Sequence, residues 1–202
     1  MSATTSNHLF PVFLKLEQMH LLLIGGGVVA LEKLHAVIQN SPATKIKLVA
    51  KSVNPDIEDI AETHTNISIH QRAYHVTDMD DVDLVISALD DPAVTETIRN
   101  DAKNAGLLIN AADKPSLCDF YLGSVVKKGQ LKIAISTNGK SPTVAKRVKE
   151  VLNDSFPDEI NETGNFDKKR TKFYWELDGS GNAYPLHQET NSFMGMRCAC
   201  GL

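Results

Sequence analysis

Three consecutive glycines after an aliphatic run constrain this chain more than any other feature. LLLIGGGVVALEK, residues 21–33, sets Gly25, Gly26 and Gly27 between an apolar stretch and a segment of helical periodicity. Glycine costs a helix or a strand roughly 0.5–1 kcal/mol relative to alanine. A triplet therefore marks a sharp turn, or a place where another group comes close to the main chain. HLLLIG (20–25) reads as a short buried strand. Val28–Asn40 reads as a helix with Val29, Leu31, Leu34, Val37 and Ile38 at helical spacing, stopped by Ser41 and Pro42. Gly25, Gly27 and Ala30 then match G-x-G-x-x-A between a strand and a helix, the context of a dinucleotide-binding turn. In that reading Gly25 permits the turn, Gly27 admits a pyrophosphate and Ala30 lets the helix pack tightly on the strand. The amides and dipole of the helix start favour the anion. The plainer reading is a tight turn and nothing more.

The alternation of strand and helix continues down the chain. KIKLVA (45–50), NISIHQ (66–71), VDLVISAL (82–89) and LLINAA (107–112) read as further strands. Asn54-Pro55 and Asp91-Pro92 each pair a capping residue with a proline at the first helical position, opening helices that end near Thr63 and Gly106. Such βαβ units imply a mostly parallel sheet, an α/β domain of Rossmann type over residues 1–113. The rhythm then changes. FYLGSVVKKGQLKIAIST holds two apolar runs joined at Lys127-Lys128-Gly129-Gln130, a hairpin signal. A helix follows, with Ser141 as N-cap and Pro142 at its first position. Residues 114–157 form a second region. Residues 158–202 lack clear periodicity and read as disordered or loosely packed chain.

Candidate site residues cluster at the strand ends, where ligands of open α/β sheets bind. The second strand ends at Lys51 and Ser52, with no acid before Asp56, so the choice between NAD and NADP stays open here. Ser87 and Ala88 end the fourth strand and Asn110 and Ala111 the fifth, followed by Asp113. Asp113 is placed by chain order to accept a proton as hydride leaves a bound substrate. The other reading is that it caps a turn before Lys114-Pro115. Thr137, Asn138, Gly139, Lys140 and Ser141 form a polar, glycine-containing loop before a helix, suited to carboxylates. The stretch from Asp113 to Glu150 is basic (Lys114, Lys127, Lys128, Lys132, Lys140, Lys146, Arg147 and Lys149 against Asp113, Asp119 and Glu150), although the whole chain carries −4. That contrast suggests a polyanionic ligand or, more plainly, a solvated face.

Composition removes other classes. The net charge argues against general nucleic-acid binding. No run of about 18 apolar residues suggests a membrane span. Cys118, Cys198 and Cys200 form no disulfide framework, and MSATTSNHLF lacks the features of a signal peptide, so a cytoplasmic location is expected. Cys198-Ala199-Cys200 is an incomplete metal site. The histidines (His8, His20, His35, His64, His70, His75, His187) read as packing or surface residues, and no resident metal site is expected.

Taken in order, LFPVFLKLEQMHLLLIGGGVVALEK, SALDDPAV and INAADKPSLCDFYLGSVVKKGQLKIAISTNGKSPTVAKRVKE resemble the precorrin-2 dehydrogenases, the siroheme-synthase dehydrogenase/ferrochelatase family. The resemblance spans about Leu9 to Pro157. It implies NAD-dependent oxidation of precorrin-2 to sirohydrochlorin, with ferrous iron inserted at the same site in some members. It also implies a dimerisation and substrate-binding region over 114–157, a small helical C-terminal region over 158–202, and a homodimer with an intertwined interface. The family's catalytic aspartate falls on Asp113. Its cofactor contacts fall on Gly25, Gly26, Gly27, Val28, Val29, Lys51 and Ser52. A hydroxyl residue that is phosphorylated in some relatives falls on Thr137. Two alternatives remain: a dinucleotide-sensing module without catalysis, and a chelatase without dehydrogenase activity.

Overall fold

A computed structural model describes residues 6–156, with 175–177 and 183–185. The first compact unit comprises Met1–Gly123 and Ser136–Ser141, and is built on a five-stranded parallel sheet. Its strands are β1 (His20–Ile24), β2 (Lys45–Ala50), β3 (Ile67–Gln71), β4 (Leu84–Ser87) and β5 (Leu108–Ala111), in the order β3-β2-β1-β4-β5. The crossovers run through α1 (Val28–Asn40), α2 (Pro55–Thr63) and α3 (Pro92–Asn104). The order reverses direction beside β1, so the switch point lies between β1 and β4. Crevices in open parallel sheets form there, at the carboxyl ends of the strands.

Sequence explains each element locally. Leu21, Leu22, Leu23 and Ile24 are all buried, because β1 is central and covered on both faces. Leu21 and Leu23 pack with Leu34, Leu48 and Ile86 on one face; Leu22 and Ile24 pack with Val49, Val85 and Ile98 on the other. Each such side chain contributes about 1.5–3 kcal/mol by leaving water. Two of the expected caps are present: Asn54 Oδ1 accepts the Asp56 amide at 2.9 Å, and Asp91 Oδ1 accepts those of Ala93 and Val94 at 2.9 and 3.2 Å. The strands are shorter than the apolar runs suggest, since the ends of those runs leave the sheet to form the turns above it.

Residues 114–123 group with the sheet unit rather than with the hairpin that follows. Asp119 is the reason: its carboxylate accepts the Ile109 amide at 3.1 Å and pairs with Arg99 at 2.7 Å, folding the segment back along β5. The second unit holds Ser124–Ile135 and the described residues from Pro142 on. In it β6 (Ser124–Lys128) and β7 (Leu131–Ile135) form an antiparallel hairpin against which α4 (Pro142–Ser155) packs. Gly129, at φ +56°, begins the two-residue loop Gly129-Gln130, where such hairpins need a positive φ. In the tail, β8 (Trp175–Leu177) pairs antiparallel with β9 (Ala183–Pro185), and the expectation of a helical or partly disordered end otherwise falls outside the described residues. Cys198, Cys200 and His187 lie outside the described residues. No helix among the described residues is long and apolar enough to cross a membrane.

The connection from β3 to β4 is anchored by a buried carboxylate. Asp78 takes two bonds from the Arg72 guanidinium, at 2.6 and 2.7 Å, and one from the His75 amide at 3.0 Å. The Arg72 bonds hold the Asp78 carboxyl below the usual carboxylate range, against the opposing effect of burial. A carboxyl depressed in the folded state adds stability above its unfolded pKa, and that stability is lost as the pH falls through the folded value. Asp78→Asn is therefore expected to lower the urea midpoint at pH 7. The gap from the parent protein should narrow steadily as the pH drops below the ordinary carboxylate range.

Candidate active site

The fold asks something different of each of the three glycines. Gly25 has φ +121°, and a Cβ there would run into the Ala88 carbonyl at the end of β4. Its amide donates to Val49 O at 2.9 Å, which fixes the turn over β2. Gly26 has no positive φ, but a Cβ on it would run into the Ser52 carbonyl. Its own carbonyl accepts the Asn54 amide at 2.8 Å. At Gly27 a Cβ would meet no protein atom within 4 Å. The fold itself does not demand a glycine there, so the open space suits a ligand pressed against the backbone. Ala30 is fully buried in the core beside β1.

Gly27 is also the N-cap of α1, without a side-chain cap and with no acidic residue in the first turn. Helices α2 and α3 have Asn54 and Asp91 in that role. The first amides of α1 are thus left for an external acceptor, which fits the pyrophosphate of a dinucleotide.

Beside this helix start lies a small cleft of about 120 Å³, lined by Val29, Ala88, Leu89, Asp90, Ala112, Asp113 and Lys114. It forms because the ladder runs on past the strands: Ala88 N donates to Ile24 O at 2.7 Å and Ala112 N to Ser87 O at 2.8 Å. Asp113 sits on a tight turn closed by Lys114 N to Ala111 O, at 3.2 Å, and has φ +59°. That left-handed backbone suits glycine or asparagine better than aspartate. A carboxylate kept at a disfavoured position, exposed in a cleft, points to use of the carboxylate.

The turn is held from below. Cys118 Sγ takes the Ala111 amide at 3.2 Å, and its single proton is shared between the Ala111 and Lys114 carbonyls at 3.1 and 3.4 Å. Burial pushes the Cys118 thiol up, so it serves as a neutral donor. Asn110 Nδ2 donates to Phe120 O at 2.8 Å, so this end of the side chain is committed to the loop. Ser87 is 1 % exposed, and its hydroxyl has no partner among the described residues. A buried unpaired hydroxyl at the crevice has capacity for a bound group. Lys51 and Ser52 are exposed beyond β2, and Val28 is exposed on the first turn of α1.

Of the sequence-derived candidates, the cleft gathers Val29, Ala88 and Asp113. Two charged residues of its lining, Asp90 and Lys114, were not singled out as site residues. Asp90 was hidden by Asp91, its capping neighbour. Thr137, Asn138, Gly139, Lys140 and Ser141 do not line this cleft. They form their own loop in the same unit, with Asn138 at φ +56° and Gly139 at φ +71°. Thr137 Oγ1 accepts the Ser141 amide at 3.3 Å and donates to its carbonyl at 3.1 Å, while Lys140 remains exposed.

Known proteins share the chain's sequence pattern and its fold. A family model described as NAD(P)-binding matches residues 12–124, and one described as the central region of sirohaem biosynthesis proteins matches 128–155. The chain is 33 % identical over 148 residues to a siroheme synthase of Psychrobacter cryohalolentis, covering 73 % of this chain and 28 % of that protein. It is 33 % identical over 143 residues to the siroheme biosynthesis protein met8 of Schizosaccharomyces pombe, covering 66 % and 51 %. The solved structure of SirC, a precorrin-2 dehydrogenase, superposes with a TM-score of 0.60 at 25 % identity over 76 % of this chain and 74 % of that one. The chain thus spans under a third of that siroheme synthase and about half of met8. The class is a Rossmann-type NAD(P)-binding protein. Within it, the chain belongs with the sirohaem biosynthesis proteins.

The glycines give a paired test. Gly26→Ala should cost about 1–3 kcal/mol in a thermal or urea melt, because backbone must move to admit the methyl group. Gly27→Ala should melt close to the parent protein while its NAD affinity, read by titration calorimetry, falls about tenfold or more.

Proposed function

We propose that this chain oxidises precorrin-2 to sirohydrochlorin with NAD as the acceptor. One observation carries the reading: Asp113, held in left-handed backbone, shares a cleft with Val29 of the uncapped helix start. The oxidation removes two hydrogens, one as hydride and one as a proton. NAD, when bound, supplies the site that accepts the hydride. Gly25, Gly26, Gly27, Val28 and Val29 hold the pyrophosphate at the amides of α1. Lys51 and Ser52 serve the adenosine ribose, and Ser87, Ala88, Asn110 and Ala111 form the crevice floor. The Asp113 carboxylate takes the proton released from the substrate. Thr137, Asn138, Gly139, Lys140 and Ser141 bind substrate carboxylates through backbone amides and the ammonium.

The same carboxylate suits a second step on the product. Insertion of ferrous iron, a substrate here, displaces two pyrrole protons, and Asp113 is one of two carboxylates in the cleft, with Asp90, that can take them. The macrocycle supplies the nitrogen ligands. The protein is read as a homodimer, in keeping with the exposed Val144, Val148 and Val151, which recur along one face of α4.

Anaerobic incubation with precorrin-2 and NAD tests the reading. Equal amounts of NADH and sirohydrochlorin support it. NAD binding with no affinity for any tetrapyrrole would favour a sensing module instead. Asp113→Asn, which suits the left-handed position, should match or exceed the parent protein in thermal stability and still bind NAD. Its turnover should fall about 100-fold or more.

A further inference from the structure

Lys114 follows Asp113 in the chain and reaches across the cleft. Its ammonium donates to Leu89 O at 3.0 Å and to Thr95 Oγ1 at 2.8 Å. Thr95 is buried in the first turns of α3 and donates its own proton to Asp91 O at 2.7 Å, leaving a lone pair for the ammonium. Both partners of Lys114 are neutral oxygens: Leu89 lines the cleft in the chain after β4, and Thr95 lies behind it in the first turn of α3. Its backbone amide meanwhile closes the turn on Ala111. The Asp113 turn is therefore strung between β5 and the start of α3.

Stability alone does not favour a lysine here. A cation beside the first turn of a helix works against the helix dipole. The ammonium is also drawn from water to meet uncharged acceptors. A disfavoured backbone at Asp113 and a tethered ammonium at Lys114, side by side, make one device.

We propose that Lys114 is a positioning residue. It ties the Asp113 turn to the chain after β4 and so fixes the reach of the carboxylate into the cleft. This rests on the dehydrogenase reading above. Displacement of a reacting group by about an ångström can cost a hundredfold in rate.

The test compares Lys114→Met, Lys114→Arg, Thr95→Val and Thr95→Ser with the parent protein. Lys114→Met keeps the apolar stem and removes the ammonium. Its kcat with precorrin-2 should fall about 10- to 100-fold, with KM for NAD and for precorrin-2 within about twofold. Thr95→Val should lower kcat in the same way, and Lys114→Arg and Thr95→Ser should recover much of it. Hydrogen exchange gives a readout free of turnover: the amides of Ala112 and Lys114 should exchange about tenfold faster in Lys114→Met. A Lys114→Met protein with parent kcat overturns the proposal. So does a loss confined to KM, which would make Lys114 a direct ligand, or unchanged exchange in the turn. If the parent protein itself fails to oxidise precorrin-2, the functional reading falls, and exchange alone decides whether Lys114 holds the turn.

Discussion

The close passage of Gly25 beneath the Ala88 carbonyl is the constraint on which the rest depends. At φ +121° and with no room for a Cβ, the turn after β1 lies hard against the end of β4. That contact sets where α1 begins. It also brings the amides of α1 level with the turns after β4 and β5. Had β1 ended in a side chain, the two strand ends would part, and Val29 and Asp113 would no longer share a cleft. The bonds from Ala88 to Ile24 and from Ala112 to Ser87 carry the same alignment one residue beyond the sheet.

Much of this was legible in the sequence because its causes are local. A proline after Asn54 or Asp91 announces a helix through chemistry within three residues, and both caps are in place. The apolar runs announce strands buried on both faces. The role of Gly26 was not legible, because its obstacle is the Ser52 carbonyl, brought there by another strand. The grouping of 114–123 with the sheet depends on Asp119 meeting Arg99 and Ile109, contacts of long sequence separation. Lys114 read as one more base in a basic stretch. Only the fold reveals that its ammonium ends on Leu89 and Thr95. The ribbon of β8 and β9 has three residues per strand, too few for alternation to register.

The site concentrates local costs. Asp113 in left-handed backbone, Lys114 at the positive end of α3, an unpaired Ser87 hydroxyl and an uncapped α1 each run against what stability would select. They lie together at the carboxyl edge of the sheet, while the interior beneath them is apolar and well filled. Such a concentration is the mark of a surface shaped for a ligand and a reaction rather than for folding.

The central claim is that the cleft between α1 and Asp113 receives the reacting end of the dinucleotide. A crystal structure of the NAD complex tests it most directly. The account predicts pyrophosphate density at the Gly27 and Val28 amides and the nicotinamide ring in the cleft lined by Val29, Ala88 and Asp113. A dinucleotide bound with its nicotinamide outside that cleft, beyond reach of Asp113, would contradict it.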